Sequence, residues 1–248
     1  MKILAIESTA KAASVCLWEE EKVLAESYQN SGLTHSRTLL PMCESMLRNC
    51  STALKEVDVI AAAAGPGSFT GLRIGLSTAK GLAWPGEKPC CGVSTLEAMA
   101  WNLAHVDGVI CCAMDARRNQ VYNALFRAEE GQLIRLTPDR AISLAELFQG
   151  PGAEKETQIL VGDGAELCYN YAVPLGADLI LAPPHLRYQR ASGVARAGAA
   201  AAGNTRFTFI IRCTCCFCIC SPAYDSLLKA RRDLPKPRRA FYAFSFCI

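Results

Sequence analysis

Histidine is scarce in this chain, with three in 248 residues. A metal reading of His35 would need a second ligand one turn on, as H-x-x-x-H, but position 39 is Leu, so no metal is expected there. No G-x-x-x-x-G-K-[ST] occurs, which excludes a Walker phosphate loop. Neither a Ser/His/Asp order, nor carboxylates paired at a workable spacing, nor spaced zinc ligands emerge, so no catalytic residue is assigned. No run of about 18 apolar residues is present, and no membrane span is expected. The N-terminus goes straight into a strand without a basic region and cleavage site, so secretion is not expected either. An excess of one charge is also lacking. The 26 Lys and Arg against 23 Asp and Glu leave +3, short of the dense basic patch of a dedicated nucleic-acid binder.

What the chain does have is core-forming material. Hydrophobic residues make up 51% and charged residues 20%, the balance of a globular protein of one large or two small domains. Cysteine is plentiful at 14 residues. Cys16, Cys43, Cys50, Cys111, Cys112 and Cys168 lie inside apolar segments, where thiols behave as small core hydrophobes, and a reduced, cytosolic setting fits them.

The chain is organised around residues 57–84, VDVIAAAAGPGSFTGLRIGLSTAKGLAW. Residues 57–63 form an apolar run of strand length. Gly65-Pro66-Gly67-Ser68 breaks it, and Ser68 or Thr70 can cap a helix in which Leu72, Ile74, Leu76, Ala79, Leu82 and Ala83 recur near helical spacing. A glycine turn feeding a helix N-terminus presents free N–H groups, so Gly65, Gly67, Ser68, Thr70 and Gly71 could hold an anion. Equally, the glycines could let the helix lie close against a sheet.

Before this stretch, residues 2–6, 13–18 and 22–28 read as a three-strand meander. Its first turn, Glu7 to Lys11, is rich in hydroxyls and could wrap a phosphate or bond its own backbone. Residues 36–49 read as an amphipathic helix in which Leu39, Leu40, Met42, Cys43, Met46 and Leu47 exceed one face, leaving apolar surface for a partner. After it come a strand at 89–93 and a helix at 94–104 with a capping box of Ser94 and Glu97. A hairpin follows at 109–114 and 121–126, with Arg117 and Arg118 at its tip. Further on are a strand at 133–136, a helix at 144–149, and a strand–turn–helix over 159–171 turning at Gly162-Asp163-Gly164.

Several blocks together resemble one family: ILAIESTAKAASVCLW, HSRTLLP, AGPGSFTGLRIGLSTAKGLAW, GVSTLEAMA and MDARRNQVY, with YQRASGV at 188–194. It is the family of bacterial tRNA threonylcarbamoyladenosine biosynthesis proteins, TsaB or YeaZ. The resemblance implies an α/β fold of the actin/sugar-kinase/heat-shock superfamily, with two lobes built on mixed five-stranded sheets. It implies a lobe at 1–105, a second lobe at 106–194 and an atypical tail at 195–248. It also implies a non-catalytic paralogue of the transferase TsaD, pairing with TsaD through its N-terminal helices and working with the ATPase TsaE and tRNA. The complex moves threonylcarbamoyl from its adenylate to N6 of adenosine 37 in tRNAs reading ANN codons. No cofactor is expected on this chain, while ATP and a divalent metal are expected on the partner subunits. Glu7 stands where ATPases of the superfamily use Asp, and its extra methylene spoils the metal–water geometry.

By the same resemblance, the helix at 36–49 and the helix beginning near Thr70 form the subunit interface. Its contact candidates are Leu39, Leu40, Met42, Cys43, Met46, Arg73 and Leu76. Alternatively all are intramolecular core, the favoured reading for Leu40 and Leu47. Without its partner the same face could make a homodimer. The other class of function is a free-standing enzyme, either a small-molecule kinase needing ATP and an acidic base near Glu7, or a metallopeptidase needing more than His35.

Past Val194 the composition departs from the family. Cys213, Cys215, Cys216, Cys218 and Cys220 form overlapping C-x-x-C pairs with no second, separated pair, which does not complete a zinc site. The preferred reading is a shifted frame or truncated gene, poorly ordered and aggregation-prone through 207–220.

Overall fold

The structure is a computed structural model that describes residues 1–150 and 156–203. The expectations for the tail past residue 203, its cysteines included, fall outside the described residues. Three strands open the chain: β1 (Lys2–Glu7), β2 (Ala13–Glu19) and β3 (Lys22–Gln29). They pair antiparallel as a meander. Helix α1 (His35–Asn49) follows, then β4 (Val59–Gly65), α2 (Phe69–Ala83) and β5 (Cys90–Ser94). β4 joins β1 in parallel and β5 joins β4, giving the order β3-β2-β1-β4-β5. Short apolar runs make β1 and β4 buried central strands, and the helices bring the chain back for parallel pairing.

Helix α3 (Thr95–Trp101) leads into a second pass through the same plan. β6 (Gly108–Arg117), β7 (Gln120–Glu129) and β8 (Gln132–Arg135) form the meander. β9 (Arg140–Ser143), α4 (Leu144–Gln149), β10 (Gln158–Val161), α5 (Ala165–Ala172) and β11 (Leu179–Leu181) complete it. The second sheet has the order β11-β10-β6-β7-β8, the same arrangement as the first, with β9 added on β7. It therefore has six strands rather than the expected five. β9 and β11 are too short for a two-residue alternation to register in the sequence.

α3 is shared by the two lobes. Its Ala98 packs into the core of the first sheet, while Leu96 and Met99 pack on Ile110, Cys112 and Phe126 of the second. Its cap is half the expected box. Ser94 Oγ accepts from Glu97 N at 3.2 Å, but the Glu97 carboxylate instead pairs with Arg135 at 3.0 Å.

After α6 (Pro184–Arg187) the chain ends its described part in α7 (Ala191–Gly203). The boundary expected between 194 and 195 falls inside this helix. Ala191, Val194, Ala195 and Ala197 are buried with Ile3, Ala5, Val59, Ala61 and Val93, so α7 covers the first sheet rather than the second. Small side chains let it lie that close: a Cβ on Gly193 would stand 2.0 Å from Ala98 O. Glu26 of β3 holds its N-terminus, accepting from Ser192 N at 3.0 Å, Ser192 Oγ at 2.9 Å and Arg190 at 3.0 Å. A carboxylate there meets the positive end of the helix dipole.

Candidate functional site

The glycine turn after β4 lies against the turn leaving β1. A Cβ on Gly67 would stand 2.6 Å from Thr9 O, and one on Gly71 2.0 Å from Ser8 O. On Gly75 it would meet Ser8 Oγ at 2.3 Å. Ser68 N donates to Thr9 O at 2.7 Å, and Ser8 Oγ donates to Gly71 O at 2.9 Å. Ser68 caps α2, accepting from Gly71 N at 3.3 Å. Thr70, the alternative cap, is exposed in the first turn. Of the two readings of this turn, close packing accounts for these contacts: backbone from the β1 exit fills the space and takes the N–H of Ser68, while the Ser68 hydroxyl takes that of Gly71.

The second lobe repeats the device. A Cβ on Gly162 would stand 2.0 Å from Ala113 O, and Gly164 N donates to the same carbonyl at 3.0 Å. Asp163 between them accepts from Gln189 Nε2 at 3.1 Å. Its carboxyl is raised above the ordinary range, first because surrounding protein desolvates it, then because Asp115 faces it. Gln189 Oε1 is buried without a donor.

Glu7 sits at the β1 exit, fully buried. Its Oε1 accepts from Thr9 N at 2.6 Å and Thr9 Oγ1 at 2.5 Å, folding the carboxylate back on its own turn. Oε2 has no partner. Desolvation pushes the pKa up to about 7 against the lowering pull of the Thr9 bonds, and Asp163 adds to the rise. His35 sits beside this turn, with Nε2 donating to Ala10 O at 2.7 Å and Nδ1 buried without a partner. Among the described residues no group of three or more His, Cys, Asp or Glu side chains is placed to hold a metal ion.

α1 and α2 lie side by side on the face of the first sheet away from α7. The inward stripe of α1 is Leu39, Cys43, Met46 and Leu47, spaced i, i+4, i+7, i+8. Leu39, Cys43 and Met46, and Leu76 of α2, were contact candidates from the sequence, yet all four are buried within this chain. They are core. Burial pushes the Cys43 thiol up to about 12, as expected of a packed, unreactive side chain. Leu40, favoured as core, is instead 43% exposed, at the edge of the inward stripe on the side where Leu47, two turns on, stays buried. Met42 is half-buried and Arg73 exposed.

Two outward residues escaped the sequence reading: Leu33, 51% exposed, and Phe69, 58% exposed with the Arg73 guanidinium 5.3 Å from its ring centre. Both stand at helix starts, outside the periodic windows that reveal a face. Leu40 lines a groove of about 460 Å³ between the helices, together with His35, Thr70, Arg73 and Ile74. At the hairpin tip, Arg117 and Arg118 are exposed and, with Asn119, adopt positive φ. Arg127, from the same hairpin, pairs with Glu156 at 3.0 Å.

Two lobes on one duplicated plan, each with a glycine turn packed at the exit of its first strand, define a duplicated two-lobed α/β protein with mixed sheets. Sequence comparison narrows this. A family profile described as tRNA N6-adenosine threonylcarbamoyltransferase, TsaD, matches residues 23–206. The chain is 40% identical over 149 residues to the tRNA threonylcarbamoyladenosine biosynthesis protein TsaB of Bacillus subtilis, covering 60% of this chain and 65% of that one. It is 39% identical over 132 residues to TsaB of Escherichia coli, covering 52% and 57%. The chain thus spans less than two thirds of the length of these two curated relatives. A solved structure from Pseudomonas aeruginosa, an uncharacterized protein with similarity to peptidase YeaZ, shares the fold at a TM-score of 0.73 and 24% identity, covering 85% and 96%. The chain belongs to the TsaD family, in its TsaB (YeaZ) branch.

Proposed function

We propose that this chain is a non-catalytic subunit supporting N6-threonylcarbamoylation of adenosine 37 in tRNAs that read ANN codons. It pairs with a TsaD transferase through the α1–α2 face and works with TsaE, which brings the ATPase activity. ATP and divalent metal belong to those partners, and the assembly is cytoplasmic. The observation that carries the reading is a contrast within one lobe. The turn that would cradle a nucleotide is packed shut around Glu7, while at the helix pair beside it Leu33, Leu40 and Phe69 are exposed and Leu40 lines a groove. The names of the relatives point to the same pathway.

The test is nucleoside mass spectrometry of bulk tRNA from cells depleted of this protein, with rescue by the wild type and by Leu40→Asp and Phe69→Asp. Loss of threonylcarbamoyladenosine, restored by the wild type and not by the two variants, is the expected result. Co-elution of TsaD with the wild type alone completes it. Unchanged nucleoside levels, or stoichiometric nucleotide with turnover on the purified chain, would overturn the scaffold reading in favour of a free-standing kinase. No specific observation favours a peptidase. On the purified chain alone, the same face makes a homodimer.

A further inference from the structure

A second cavity lies away from both the Glu7 turn and the α1–α2 face. It encloses about 520 Å³, within the range of small-molecule sites. Its wall joins both lobes: Trp18 and Glu26 from the first sheet, Trp101 and His105 from and just after α3, His185 from α6, and Arg196 from α7. Two of the three tryptophans and two of the three histidines of the chain therefore meet here.

The polar groups of this wall divide unevenly. The one carboxylate, Glu26, is taken, since it already receives Arg190 and Ser192. Asn102 Nδ2 is spent on Leu186 O and Tyr188 O. Donor capacity remains. Trp101 Nε1 is buried with no partner. Arg196 lies 5.0 Å from the Trp101 ring centre and 6.0 Å from that of Trp18, and among the described residues its one ion pair is with Glu21, whose side chain is itself mostly in solvent. An exposed pair of that kind is weak and exchanges readily. The imidazoles of His105 and His185 are exposed and have no protein partner among the described residues. The cavity thus offers flat aromatic walls, an orphan indole N–H, a guanidinium loosely tied and two imidazoles.

We propose that this cavity binds a nucleoside monophosphate, its phosphate received by Arg196, the Trp101 N–H and the imidazoles, and its base against the indoles. The shared chemistry, an aromatic ring joined to a phosphate, is met by a free nucleotide and by the end of a nucleic-acid strand. Guanidinium–phosphate pairing and base–indole stacking are each suited to these walls.

Calorimetric titration of the full chain with AMP, adenosine and inorganic phosphate tests it. AMP binds at one site per chain, and adenosine and phosphate each bind at least about tenfold more weakly, the loss of a charged hydrogen bond or of stacking. Trp101→Phe keeps the ring and removes the N–H, and Arg196→Gln removes the charge. Each weakens AMP by about tenfold. His185→Ala, on an exposed side chain, weakens it without risk to folding, and thermal melts check all three. In Trp84→Phe only Trp18 and Trp101 remain to fluoresce, and AMP quenches them. A 5′-phosphorylated trinucleotide binding more tightly than AMP identifies a strand end as the source, and one binding more weakly identifies a free nucleotide. No saturable heat with millimolar AMP overturns the proposal. So does AMP binding that the three cavity variants leave unchanged.

Discussion

Glu7 carries the clearest pH signature of the chain. Its folded pKa is about 7 against an ordinary value of 4.5, because burial disfavours the charged form. The folded state therefore holds a proton that the unfolded chain has released between those values. The stability this contributes is full below pH 4.5 and is lost as pH rises toward 7. The span corresponds to about 3 kcal/mol. Glu7→Gln removes this slope, so the variant should melt higher than the wild type at pH 8 and converge with it near pH 5 by calorimetry. Two glycines of α2 should answer alanine oppositely. Gly71→Ala places a Cβ 2.0 Å from the Ser8 carbonyl, a backbone atom that cannot move away, and should cost about 1–3 kcal/mol in urea unfolding. Gly81→Ala meets nothing within 4 Å in an exposed helical position and should gain about 0.4–1 kcal/mol.

Among the elements, α7 matters more than its composition suggests. An alanine- and glycine-rich helix has little side-chain area to bury, yet it closes the core of the first sheet because it lies so close. Its anchor is Glu26. Glu26→Ala removes the contacts to Ser192 and Arg190 and leaves the helix N-terminus open, at a cost of about 2 kcal/mol or more by denaturant unfolding. α1 and α2 present the contrary case, two well-filled helices whose outer face is left apolar. Leu40→Asp and Phe69→Asp should leave stability within about 0.5 kcal/mol, as for ordinary surface changes, while abolishing partner co-elution.

At the scale of the whole molecule, the chain is a lobe, a repeat of that lobe, and a return helix that ties the end of the described chain to its beginning. A chain stopped at residue 194 loses Ala195 and Ala197 from the first core. It should melt about 10 °C lower or fail to fold, several kcal/mol at the few degrees each brings in a chain of this size. One stopped at 203 keeps the helix and should support threonylcarbamoyladenosine formation as the full chain does. Equal rescue by both would contradict the place given to α7.

The sequence by itself determined the order of the longer elements, while β9, β11, α6 and α7 left no local signal that was read. The meander, the glycine turn, α2 capped by Ser68 and the strand–turn–helix at Gly162 are written in local periodicity, turn chemistry and caps, which act within a few residues. Its inner stripe on α1, Leu39, Cys43, Met46 and Leu47, was legible as an apolar excess, but which of those residues face outward was not. Periodicity gives a face, and only the packed neighbour says whether that face is inside. Tertiary structure alone decided three things, each between residues far apart in the chain. It set Ser8 and Thr9 into the space beside Gly67 and Gly71, and it sent α7 back to the first sheet rather than the second. It also brought Trp18, Trp101, His185 and Arg196 around one cavity. Long-range packing has no local period to betray it, because the distance that matters is through space and not along the chain.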